Sequence, residues 1–142
     1  MSSVYTCIFL VLCASGILAK FDESLLTDEL KNLMRKLHQT CVEEIGISED
    51  QIEKIKSGKF EDDSKLKCYV KCIMTESGVM DDTGELDMEA LSETIPQELR
   101  EPYRTTFQTC SQRGDGIDDL CERAFTIIQC THEIDPDNYY FV

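Results

Sequence analysis

The residues best suited to chemistry in this 142-residue chain are its cysteines, and two of them, Cys68 and Cys72, stand four apart. On a helix four residues make about one turn, so the two thiols project side by side from one face. Placed that way, each is set to bond a different segment. The chemistry is then oxidation to disulfides that staple one helix to two others. Cys121 and Cys130 are nine apart, which turns a helix by about 900° and puts them on opposite sides, again facing different partners. Cys41 and Cys110 stand on further helical stretches. Other chemistries fit less well. His38, Cys41, Cys68 and Cys72 could ligate a metal, but thiols in an oxidising compartment pair with each other, and no metal is expected. Asp81, Asp82, Glu85 and Asp87 lack the spacing of an EF-hand loop and read as a solvated turn. With two histidines, His38 and His132, and no Gly-x-Ser-x-Gly elbow, no nucleophile and base are brought together. The reading is not an enzyme, with no cofactor.

Composition places these thiols. Val4 to Leu12 is apolar, and the small residues Ala14, Ser15, Gly16 and Ala19 follow. Residues 1–19 therefore read as a secretory signal, cut after Ala19 rather than Gly16, although the usual positive start is missing. The stretch is short for a membrane span, which needs about 20 apolar residues. Its removal takes Cys7 and Cys13 from the eight cysteines and leaves six. Six in a small secreted domain read as a disulfide framework; they allow 15 pairings, and the sequence alone does not choose. The net charge of −14 argues against nucleic acid and against anionic lipid surfaces. Residues 20–142 form one domain; whether it is a monomer or a homodimer is open.

The elements that must position the cysteines are helical throughout. Leu26, Leu30, Leu33, Leu37 and Cys41 recur at three- and four-residue steps, predicting a helix over 22–44 that ends at Gly46. Ser48-Glu49-Asp50-Gln51 is a capping box opening a second helix that stops at Ser57-Gly58. A third begins near Asp62 and buries Leu66, Tyr69, Val70, Ile73 and Met74. A short fourth covers 88–94, with Asp87 as its N-cap. Pro96 suits the first turn of a fifth, and Pro102 lies inside its pattern, where a kink is expected. The sixth spans 117–131 with Ile117, Leu120, Ala124, Ile127 and Ile128 on its apolar face. Asp135-Pro136 ends the helical run. No stretch alternates with period two.

At this point the spacing Cys41-x26-Cys68-x3-Cys72-x37-Cys110-x10-Cys121-x8-Cys130 resembles the six-cysteine signature of insect odorant-binding proteins. Lys65-Leu66-Lys67-Cys68-Tyr69, Asp81-Asp82-Thr83-Gly84 and the ending from Asp135-Pro136 to Val142 resemble the subgroup whose carboxy-terminal tail folds back over the binding cavity. The resemblance implies an all-α fold, a compact six-helix domain around an apolar cavity with three interlocked disulfides. It implies the pairs Cys41–Cys72, Cys68–Cys121 and Cys110–Cys130. It also implies a secreted carrier for small volatile apolar molecules (alcohols, aldehydes, esters), in sensillum lymph, delivering them to an olfactory receptor. Many relatives carry a tryptophan near the last cysteine; Thr131 stands there here.

The residues support a pocket more weakly. Ile73, Met74, Met88, Leu91, Ile95, Leu99, Tyr103 and Ile128 are positions on helices that should converge, and methionine suits varied ligand shapes. Each is also an ordinary core position. Tyr139-Tyr140-Phe141-Val142 would cost solubility if exposed, so the tail is expected to wall the pocket. Tyr69, Tyr103 and Thr106 are candidate partners for a polar ligand group. If Cys41 pairs with Cys72, His38 falls near Tyr69, and the terminal carboxylate of Val142 becomes their partner, with Arg35 nearby. Protonation of that carboxylate, or of Asp135 and Asp137, would then loosen the tail and release ligand. Two alternatives remain: a carrier of non-olfactory lipids or hormones, and a protein-interaction module with a filled core.

Overall fold

A computed structural model describes residues 22–142; the expected signal segment 1–19 lies outside the described residues. Five of the six α-helices among the described residues start where a side chain caps them, and the fifth in chain order does not. Thr27 accepts from the Leu30 amide and opens α1 (Asp28–Ile45). Ser48 and Gln51 form the reciprocal capping box of α2 (Glu49–Lys56). Asp63, Asp87 and Asp119 open α3 (Ser64–Glu76), α4 (Met88–Glu93) and α6 (Leu120–Ile134) in the same way. Between α4 and α6 runs α5 (Arg100–Ser111). Capping of this kind is worth about 1 kcal/mol per helix. Among the described residues the extended pairing is one isolated bridge, Met80 to Leu86.

Three details differ from expectation. The first helix begins at Asp28, because Asp22 caps a separate 3-10 turn over Glu23–Leu25 and Thr27 then opens α1 afresh. Pro102 is no kink: a 3-10 turn over Gln97–Leu99 precedes α5, and Pro102 becomes the third residue of a helix starting at Arg100. A first-turn amide has no intrahelical acceptor, so proline loses nothing there. Ile117 lies in the loop before α6, whose start is fixed by Asp119 and whose end reaches Ile134.

The hub is α3, which packs on α1 and α6. Disulfides join α1 to α3 (Cys41–Cys72), α3 to α6 (Cys68–Cys121) and α5 to α6 (Cys110–Cys130). These are the three pairs the family resemblance implies. Cys41, Cys110 and Cys130 are buried, as is the face of α3 made by Leu66, Tyr69, Val70, Ile73 and Met74. On α2, Ile52 and Ile55 are fully buried. Beyond α6, the Asp135 carboxylate accepts from the main chain and side chain of Asn138 and sets the turn into the tail. The tail then runs back against the core, with Tyr139 and Phe141 buried.

Candidate functional site

An apolar pocket lies among the helices. Leu30, Leu33, Met34 and Leu37 line it from α1, and Ile73 and Met74 from α3. Leu91, Ile95, Tyr103, Phe107 and Ile128 come from α4 through α6. Tyr140, Phe141 and Val142 complete the wall from the tail. The space between atoms is about 520 Å³, counting the open mouth. Little of it is wide enough for water, so a ligand enters by parting side chains. No charged side chain faces it, although the whole chain carries −14. Leu33, the one exposed member of the lining, marks the mouth.

Hydrogen bonds hold the tail at four points. The Tyr69 hydroxyl donates to the main-chain oxygen of Val142 at 3.1 Å. The Tyr103 hydroxyl donates to the carbonyl of Tyr140 at 3.3 Å. The Tyr139 hydroxyl donates to the carbonyl of Ile55 at 3.0 Å, and that of Tyr140 to the sulfur of Met34. Burial holds the Tyr69, Tyr139 and Tyr140 phenols well above their ordinary ionisation range and pushes Tyr103 up to about 12. All four keep their protons at neutral pH.

His38 extends the first of these contacts. Its Nδ1 lies 3.0 Å from the Tyr69 hydroxyl and its Nε2 2.9 Å from a Glu49 carboxylate oxygen. A ring protonated on both nitrogens satisfies Glu49, Tyr69 and Val142 together. A singly protonated ring satisfies two of the three, because Tyr69 has one proton to give.

The sequence-derived positions divide. Ile73, Met74, Leu91, Ile95, Tyr103, Ile128, Tyr140 and Phe141 meet at the pocket. Met88, Leu99 and Tyr139 do not line it. Met88 and Leu99 pack, half-buried, on the core from outside, and Tyr139 turns toward α2, edge-on to His132 at 4.9 Å and to Phe60 at 6.0 Å. His132 is half-buried in this cluster. Arg35 is exposed and donates back along its helix to Asn32, away from the Tyr69 contact. Tyr69 reaches the tail rather than the cavity, and Thr106 lies outside the lining. Sequence reasoning missed Glu49, which sits in the first turn of α2 with no pattern tying it to His38. It also missed the α1 side of the cavity, whose leucine stripe served only to predict the helix.

Comparison with known proteins follows this geometry. The model of the PBP/GOBP family matches residues 23–134. General odorant-binding protein 72 of Anopheles gambiae is 24% identical over 116 residues, covering 80% of this chain and 96% of that protein. Among solved structures, odorant-binding protein 1 of Locusta migratoria superposes with a TM-score of 0.69 at 29% identity, over 80% of this chain and 87% of its own. Odorant-binding protein 5 of Apis mellifera shares the fold, with a TM-score of 0.70 at 21% identity over 82% of this chain and 98% of its own.

Proposed function

The chain belongs to the PBP/GOBP family, a family of binding proteins rather than enzymes, and on that footing we propose that it is a secreted carrier of small apolar odorants or pheromones, released from a signal over residues 1–19. The observation that carries this reading is the apolar cavity walled by Tyr140, Phe141 and Val142, faced by no charged side chain among the described residues. The space wide enough for water is about 50 Å³, well below the roughly 300–1,000 Å³ of an occupied small-ligand site, so a ligand makes its room by parting the lining side chains. A ligand burying roughly 300–400 Å² of apolar surface gains on the order of 8–10 kcal/mol gross. Association and ordering costs reduce that, leaving affinity near micromolar, about −8 kcal/mol. Carriage through sensillum lymph to an olfactory receptor is the role that fits.

The tail is proposed to act as a latch. Where the chain ends at Val142, the oxygen that accepts from Tyr69 belongs to a carboxylate. Ionised, that carboxylate and Asp135 hold the tail through Tyr69 and Asn138. A charged carboxylate accepts a hydrogen bond more strongly than a neutral one, which is why acid is proposed to loosen the tail.

The test is displacement of an apolar fluorescent probe by volatile alcohols, aldehydes and esters, at neutral and acidic pH, with the protein and with a form lacking residues 139–142. Uptake and displacement at neutral pH, lost in acid and in the truncation, support the carrier with its latch. Affinity unchanged into acid removes the latch. No uptake under any condition removes the carrier and leaves an interaction module with a filled core.

A further inference from the structure

Four side chains in the pocket wall carry a hydroxyl: Ser77, Thr94, Tyr103 and Tyr140. Each already gives its single proton to the protein. Ser77 Oγ donates to the carbonyl of Met74 at 3.2 Å and Thr94 Oγ1 to that of Leu91 at 2.8 Å. Tyr103 donates to the carbonyl of Tyr140, and Tyr140 to the sulfur of Met34. A hydroxyl has one proton and two lone-pair sites. With the proton committed, each presents oxygen lone pairs alone. Among the described residues the wall holds no Asn, Gln, Lys, Arg, His or Trp side chain to supply another donor. Its polar side chains can accept a hydrogen bond without rearrangement, and cannot give one.

Resting on the carrier reading above, we propose that the pocket selects ligands whose polar group is a hydrogen-bond donor, an alcohol rather than an aldehyde, ketone or ester, and that the Tyr103 oxygen is the acceptor that reads it. Of the four hydroxyls Tyr103 is the most fully buried, at 5% exposure; the Thr131 hydroxyl stands beside the same oxygen but gives its proton to the Ile128 carbonyl at 2.7 Å, which leaves a Tyr103 lone pair for a ligand. An alcohol brings its own proton and leaves the tether from Tyr103 to Tyr140 intact. A carbonyl needs a proton from the wall. It can take the Tyr103 proton only by breaking that tether, or turn to the main-chain amides of the tail. Carbonyl ligands thus compete with tail closure, and alcohols do not.

The experiment uses the oxidised protein and a matched set of one chain length: an alkane, a primary alcohol, a methyl ketone and a methyl ester, each displacing the same probe. Affinities are compared with each compound's water-to-cyclohexane transfer, a reference in which nothing hydrogen-bonds. The alcohol should bind about tenfold or more above its transfer expectation, while alkane, ketone and ester follow theirs. Tyr103→Phe should lower the alcohol about tenfold relative to the alkane and leave the ketone-to-alkane ratio unchanged. Should that variant misfold, the wild-type series alone still decides. An equal or larger excess for the ketone or ester, or a ketone weakened by Tyr103→Phe, overturns the proposal while the carrier stands. If nothing binds, the alkane and probe included, the carrier reading falls first and this inference with it.

Discussion

The Tyr69 hydroxyl reaches the main-chain oxygen of Val142 at 3.1 Å across 73 residues of sequence. Its position is fixed by the bridges of Cys68 and Cys72, which clamp α3 to α6 and α1 on either side of it. A rigid donor thus meets the main chain of the tail at Val142. Tyr69→Phe removes this bond while the ring stays packed against Phe141 at 6.2 Å. A net hydrogen bond is worth about 1 kcal/mol, so ligand dissociation should quicken about fivefold with little change in helix content. Stopped-flow release of a bound probe measures it. An unchanged dissociation rate would show that the other tethers hold the tail unaided.

Two left-handed glycines offer an internal comparison. Gly46 has φ +68 and a Cβ there meets nothing within 4 Å; Gly58 has φ +82, and its Cβ would sit 2.2 Å from Nε2 of His132. Gly46→Ala bears conformational strain alone, roughly 1–2 kcal/mol. Gly58→Ala adds an overlap with a ring wedged against Phe60 and Tyr139. Overpacking of that kind typically costs a further 1–3 kcal/mol. Denaturant unfolding should therefore rank Gly58→Ala as the more damaging, and only that variant should weaken the tail through Tyr139. Equal losses would mean that His132 swings aside freely.

Much of the fold was legible because it is written locally. Ser48 with Gln51, and Asp87 before Met88, announce helix starts by chemistry that acts over three residues. Cysteine spacing carried the family resemblance and the disulfide pairs with it. The cavity was not legible in that way. Leu30, Leu37, Ile73 and Ile128 form the same helical stripe whether they meet other side chains or open space. The division of the tail was equally hidden: Tyr139 and Tyr140 are neighbours in sequence, yet one bonds Ile55 and the other Met34. Glu49 meets His38 only because α2 folds back beside α1.

The three bridges close loops of different length, and that difference sets an order. Cys68–Cys121 spans 53 residues and Cys110–Cys130 spans 20. Chain entropy assigns them about 4 and about 3 kcal/mol. Replacing Cys68 and Cys121 together by alanine should lower unfolding free energy more than replacing Cys110 and Cys130. Paired replacement avoids a stray thiol in either case. Equilibrium denaturation of the two forms gives the order. A reversal would mean that packing lost around the buried Cys110 and Cys130 sulfurs outweighs loop length.

Alkaline titration tests the buried phenols as a group. Tyr69, Tyr103, Tyr139 and Tyr140 are every tyrosine among the described residues, and burial raises all four. An unfolded tyrosine ionises near pH 10. Below that value both states hold their protons, and the preference for the neutral phenol is fully expressed as stability. Above it the unfolded chain releases four protons that the native protein keeps, so stability falls by about 5 kcal/mol per pH unit until the folded values are reached. The native protein should show almost no phenolate absorbance at pH values where free tyrosine is largely ionised. The signal should then rise in one step, together with loss of helical circular dichroism. A gradual rise starting near pH 10 with helices intact would place the tail phenols in water and remove the wall they form. In a form lacking residues 139–142, Tyr69 and Tyr103 both lose their acceptors and the cover of the tail, so their phenolates should appear earlier, before unfolding.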